Sequence, residues 1–124
     1  LYNHGDMRRD FTYIDDIIAG VMASLDHPPA DDGQAKAGGF STPHRLYNIG
    51  NSQPEQLLAL VAAIEAACGR KADVKLLPMQ PGDVHETYAD IDAIQRDLGF
   101  QPLTPIDIGI PAFVDWYRKW LARS

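Results

Sequence analysis

The chain has a single cysteine, Cys68, among its 124 residues, so no internal disulfide can form and no multi-cysteine metal site can be built. That fits a reducing, cytoplasmic setting, and Cys68 at the end of an apolar stripe is expected to pack a helix. No apolar run approaches the roughly 20 residues needed to cross a bilayer, and no charged-then-apolar leader opens the chain, so no membrane partner is expected. Basic residues are scarce. Eleven Lys and Arg stand against seventeen Asp and Glu, and the formal charge of −6 repels polyphosphates, which argues against nucleic acid. The four histidines, His4, His27, His44 and His85, lack metal-ligand spacing. A glycine-rich phosphate loop is absent. Tyr13 and Tyr88 would need a nearby cation to lose a proton far below their usual pKa of about 10, and neither has a lysine four positions on. No residue of the chain is therefore assigned to catalysis.

The hydrophobic fraction of 45% in a chain of this length suits one domain, residues 1–124. Because the chain opens on Leu1 and its first residues already read as structured, the start is expected to be a cut from a longer protein. Asn3-His4-Gly5-Asp6 predicts a turn, and Arg9–Ile14 a strand that follows it as part of a hairpin. Ile17, Ile18, Val21, Met22 and Leu25 fall at helical spacing behind Asp15 and Asp16, and Pro28-Pro29 ends that helix. Residues 27–44 are too rich in Pro, Gly and polar groups to repeat regularly and predict a flexible loop. A short strand is expected over Arg45–Ile49. A second helix should follow Ser52-x-x-Glu55, read as a capping box, with Leu57, Leu58, Leu60, Val61, Ile64 and Cys68 on its buried face and Gly69 as its stop. Val74–Leu77 predicts a third strand, Asp90 the cap of a short helix carrying Ile91, Ile94 and Leu98, and Thr104-Pro105 the start of a final helix kinked or delayed by Gly109 and Pro111. Three short strands among four helices are too few for a complete doubly wound sheet, so the chain reads as part of one, with an open edge that invites self-association.

Two places could bind a ligand. The pair Arg8-Arg9 could clamp a diphosphate, since a guanidinium offers two parallel hydrogen bonds to phosphate oxygens. By spacing alone, pairing of either arginine with nearby Asp6 or Asp10 is the favoured reading. The turn Gln80-Pro81-Gly82-Asp83 ends on an acceptor-only carboxylate suited to vicinal hydroxyls, although such turns usually serve only to connect elements. Trp116, Tyr117 and Trp120 recur at helical spacing and read as core or interface.

Asn3–Ile17, with its Arg8-Arg9-Asp10-Phe11-Thr12-Tyr13-Ile14 centre, resembles a segment of the UDP-glucuronate 4-epimerases, NAD-dependent members of the extended short-chain dehydrogenase/reductase superfamily. Tyr47–Asn51, Leu77–Val84 and Phe113–Tyr117 resemble later segments of the same proteins in the same order. The resemblance implies an α/β fold: the carboxy-terminal, substrate-binding portion of a Rossmann-type enzyme, helix-rich with a few short strands, whose amino-terminal NAD-binding domain lies outside this chain. It implies that Arg9 contacts the diphosphate of a UDP-sugar, with Arg8 a second candidate, and that Asp83 binds the ribose, the two reaching opposite ends of one uridine diphosphate. Gln80 stands where related epimerases for neutral sugars often carry Arg, which implies a neutral hydrogen bond there. The implied activity of the whole protein is interconversion of UDP-glucuronate and UDP-galacturonate by oxidation and re-reduction at C4, in capsular polysaccharide biosynthesis, as a cytoplasmic homodimer. This portion alone is expected to be inactive. A UDP-sugar dehydratase or decarboxylase, or a non-catalytic UDP-sugar-binding domain, are the alternatives.

Overall fold

The first turn of the chain is set by Asn3 and His4, which adopt φ of 47° and 54°. Left-handed values at two successive non-glycine residues curl Tyr2–Gly5 into a 3₁₀ turn instead of the predicted hairpin. The computed structural model describes residues 1–123. Past the turn, β1 covers only Arg8–Asp10, and its partner is β2, Pro54–Gln56, antiparallel and with Arg9 opposite Glu55. The expected strand does not continue to Ile14, because the ladder stops where Asp10 meets Pro54, which has no N–H to give.

Helix α1 spans Ile14–Asp26, with Asp15 and Asp16 in its first turn where carboxylates complement the helix dipole. Residues 27–44 contain no helix or strand, but they make internal bonds: Lys36 is buried, its ammonium 2.7 Å from Asp32 Oδ1, and its N–H reaches Phe40 O at 2.8 Å. The predicted strands at Arg45–Ile49 and Val74–Leu77 are extended segments without a ladder. Leu46 bonds only to Ala37, while Leu77 bonds to Leu1 and His4. Among the described residues there are thus two strands, not three.

The predicted capping box is also absent. Ser52 takes φ of 55° and gives its N–H to Asp10, Pro54–Gln56 is spent on β2, and α2 begins at Leu57. The first N–H of α2 is met by Met7 O at 2.8 Å, so a backbone carbonyl just before β1 satisfies a donor that a cap would otherwise meet. Gly69, at φ 67°, ends α2 as predicted, the left-handed position that other residues adopt at a cost. Helix α3, Asp92–Leu98, has Asp90 Oδ1 accepting the Asp92 N–H at 3.0 Å, and α4, Ile106–Leu121, starts without delay and runs through Pro111.

Ile91, Ile94 and Phe100 form the core, packed by Tyr47, Ile49, Ala89 and Leu98. The expected buried face of α2 is not buried among the described residues: α2 packs along α4, yet Leu58, Ile64 and Cys68 remain exposed. The same holds for Ile18, Val21, Met22 and Leu25 of α1, and for Phe113, Trp116, Tyr117 and Trp120, whose rings stack along α4. Two carboxylates tie helices to neighbouring segments. Asp16, buried on α1, accepts the N–H groups of Leu103 and Thr104, and Asp97 of α3 accepts the Tyr47 hydroxyl at 3.0 Å.

Candidate functional site

Arg9 sits mid-strand on β1, and Asp83 closes the turn Gln80–Asp83, in which the Asp83 N–H returns to Gln80 O at 3.2 Å. The two side chains meet directly: Arg9 Nη2 lies 2.9 Å from Asp83 Oδ1, with side-chain exposures of 23% and 29%. Arg9 Nη1 also donates to Arg8 O at 2.8 Å and His85 O at 3.1 Å. Of the five N–H bonds of a guanidinium, three are thus engaged with oxygen. A fourth, on Nη2, donates to Met7 Sδ at 3.9 Å, a weak bond, which leaves the Nε–H without a bond among the described residues. Asp83 Oδ1 accepts from the Val84 N–H as well, so both of its bonds fall on that oxygen and none on Oδ2 among the described residues.

This arrangement corrects two expectations. The arginines do not pair with Asp6 or Asp10, because Asp10 is occupied by backbone amides and Asp6 lies 3.5 Å from His85 Nε2. Nor can Arg9 and Asp83 reach opposite ends of one ligand when they touch each other. They can only face neighbouring parts of it. Arg8 is set apart from Arg9, since adjacent strand residues point to opposite faces. Its Nη2 holds Pro54 O at 2.8 Å and its Nε lies 3.4 Å from Glu86 Oε2, near enough for an ion pair but without hydrogen-bond geometry. Gln80 is exposed on the same turn as Asp83.

The segment carrying Asp83 runs along β1. Arg8 N–H bonds His85 O at 2.9 Å, Thr87 N–H bonds Arg8 O at 3.2 Å, and Ala89 N–H bonds Asp10 Oδ2 at 2.9 Å. Sequence reasoning missed Asp10, which it considered only as a surface partner for the arginines. Its one available signal was its place beside Arg9. Behind this site, an open groove of about 630 Å³ is lined by Asp10, Tyr47, Asn48, Thr87, Tyr88 and Asp90. Asp97, at the far side of Tyr47, is opposed by burial, but the Tyr47 hydroxyl and the Arg96 and Arg45 guanidinia outweigh it and hold the carboxyl below the usual range. An apolar trough of about 300 Å³ lies between Phe11, Tyr13, Leu60, Ile106, Ile110 and Phe113 and offers little for polar chemistry. Among the described residues no group of three His, Cys, Asp or Glu is placed to hold a metal, and no helix is long and apolar enough to cross a membrane.

No family model matches the chain. UDP-glucuronate 4-epimerase 4 of Arabidopsis thaliana is 40% identical over 119 residues, covering 95% of this chain and 27% of the relative. The chain resembles part of a UDP-glucuronate 4-epimerase. Protein CapI of Staphylococcus aureus is 41% identical over 128 residues, 99% of this chain and 38% of that protein. The crystal structure of UDP-glucuronic acid 4-epimerase from Bacillus cereus, in complex with UDP-glucuronic acid and NAD, superposes with a TM-score of 0.75 at 27% identity, over 97% of this chain and 35% of that one. The chain therefore spans well under half the length of the relatives it matches, and the expected fold class, α/β and helix-rich with a few short strands like the corresponding part of that Rossmann-type structure, is borne out.

Proposed function

We propose that this chain is the carboxy-terminal, nucleotide-sugar-binding part of a larger NAD-dependent epimerase that interconverts UDP-glucuronate and UDP-galacturonate. The observation that carries the reading is the likeness over nearly the whole chain to proteins named for that activity, one of them a complex with UDP-glucuronic acid and NAD. The site reading rests on the contact between Arg9 and Asp83, residues 74 apart in sequence. Arg9 offers its Nε–H, and the Nη2 N–H now held only by the Met7 sulfur, to the diphosphate, Asp83 Oδ2 accepts from the adjoining ribose hydroxyls, and Gln80 supplies a neutral hydrogen bond from the same turn. Arg8 serves mainly to anchor β1 to β2.

Nothing in this chain suits NAD, since it has no glycine-rich strand-turn-helix and no tyrosine with a lysine four residues on. The cofactor, which would accept and return the hydride at C4, belongs to the rest of the protein. This part alone is inactive by that reasoning. A cytoplasmic homodimer acting in capsule synthesis completes the proposal, the last element drawn from the likeness to CapI. Incubating the intact protein with UDP-glucuronate and separating the products tests it. UDP-galacturonate is expected, whereas release of carbon dioxide or a deoxy-keto sugar overturns the epimerase assignment in favour of a decarboxylase or dehydratase.

A further inference from the structure

The Asp10 carboxylate accepts three backbone N–H groups from two distant segments: Asn51 at 3.0 Å on Oδ1, and Ser52 and Ala89 at 2.9 Å each on Oδ2. The surroundings are built closely around it. A Cβ on Gly50 would stand 3.0 Å from Asp10 Oδ2 and 2.3 Å from Ala89 Cβ, and Ser52 keeps a left-handed φ of 55° while its N–H points at the carboxylate. Ala89 lies six residues beyond Asp83 on the segment that follows β1, and Asp10 is the residue after Arg9. The backbone–backbone bonds of that segment to β1, through His85 and Thr87, are made to Arg8, and the Arg9 guanidinium adds its own bonds to His85 O and Asp83. Asp10 is thus a side-chain lock on the register between the strand that carries Arg9 and the segment that carries Asp83.

We propose that Asp10 is a positioning residue for nucleotide binding: by fixing Ala89 against β1 it sets where Asp83 meets Arg9, without touching the ligand. This rests on the reading of Arg9 and Asp83 as the nucleotide site. Replacing Asp10 by Asn keeps the size but sets an amide N–H₂ where N–H groups already converge, so one or more of the three bonds is lost.

The test uses the intact protein, with UDP as the calorimetric probe and UDP-glucuronate for kinetics. Asp16→Asn is the control, because Asp16 also accepts two backbone N–H groups but ties down residues 103–104, away from the site. Asp10→Asn is expected to weaken UDP binding about tenfold to a hundredfold and to raise KM with kcat little changed, as misplacing a binding group does. Asp16→Asn should lower Tm and leave UDP affinity as it was. Asp10→Glu, which keeps the charge, should recover part of the affinity, and it carries the test if the Asn variant does not fold. If the Asp10 variants lose Tm but bind UDP like the parent, or if Asp16→Asn weakens UDP as much, the positioning role is overturned. Failure of the unsubstituted protein to bind UDP overturns the site reading beneath it.

Discussion

Replacing Arg9 by Ala removes three N–H groups bonded to oxygen along with the two proposed for phosphate, the Nε–H and the one that meets Met7 Sδ. The contact with Asp83 is only partly screened, both side chains being less than a third exposed. Losing a charge-assisted, two-bond contact to a phosphate costs about 1.5–3 kcal/mol, or roughly ten- to a hundredfold in the dissociation constant for UDP. Arg8→Ala should behave differently. Its Nη2 bonds Pro54 O at 2.8 Å across the two-stranded sheet, so its loss should lower Tm and change UDP affinity by less than Arg9→Ala. Arg9→Lys separates charge from geometry: a lysine keeps the positive charge but not the fork that spans Asp83, Arg8 O and His85 O, and affinity should fall between parent and Ala variant. Isothermal calorimetry of the intact protein with UDP reads all three. Equal, negligible losses for the Arg8 and Arg9 variants would refute the reasoning, because no other difference between the two arginines would then matter to the ligand.

Gly50→Ala drives a methyl into Ala89 Cβ at 2.3 Å and should cost about 1–3 kcal/mol by overpacking, read as a drop in Tm, whereas Gly69→Ala meets nothing within 4 Å and should cost only the roughly 1–2 kcal/mol of a left-handed non-glycine residue. Gly50→Ala leaving Tm unchanged would show that the clash at Ala89 is relieved by movement. Asp97, held low in the fold, contributes stability that is present above its unfolded pKa and lost as pH falls through the folded one. Tyr47→Phe removes the hydroxyl that lies 3.0 Å from Asp97, raises the folded pKa and should bring the acid transition in at higher pH, followed by circular dichroism; an unchanged acid transition would argue against that bond.

The helices were legible because their cause is local. A spacing of 3.6 residues marks α1, α2, α3 and α4, and Gly69 marks the end of α2. The strands were not, because a three-residue strand is made by its partner: Arg9 finds Glu55 across 45 intervening positions, and nothing in the alternation of residues 9–14 announces that. The capping pattern at Ser52 failed for a related reason, since Asp10 claims the Ser52 N–H from a distance. At the site, the Gln80–Asp83 turn could be read from its own residues. Its meeting with Arg9 could not, and the carboxylates nearest Arg9 in sequence proved unavailable to it. Along α1, α2 and α4 the periodicity describes faces that remain open among the described residues, so the same pattern that found the helices misjudged their burial.

The ties made by Asp10 and Asp16 end on main-chain amides. An amide N–H is the same on every residue except proline, so such a joint is blind to the side chains of the loop it secures. Leu103, which is exposed, can therefore be exchanged widely without disturbing the frame so long as no proline enters, whereas Asn51 is buried, Ser52 holds a left-handed φ and Ala89 packs against the core and Gly50, so those three are held by more than their amides.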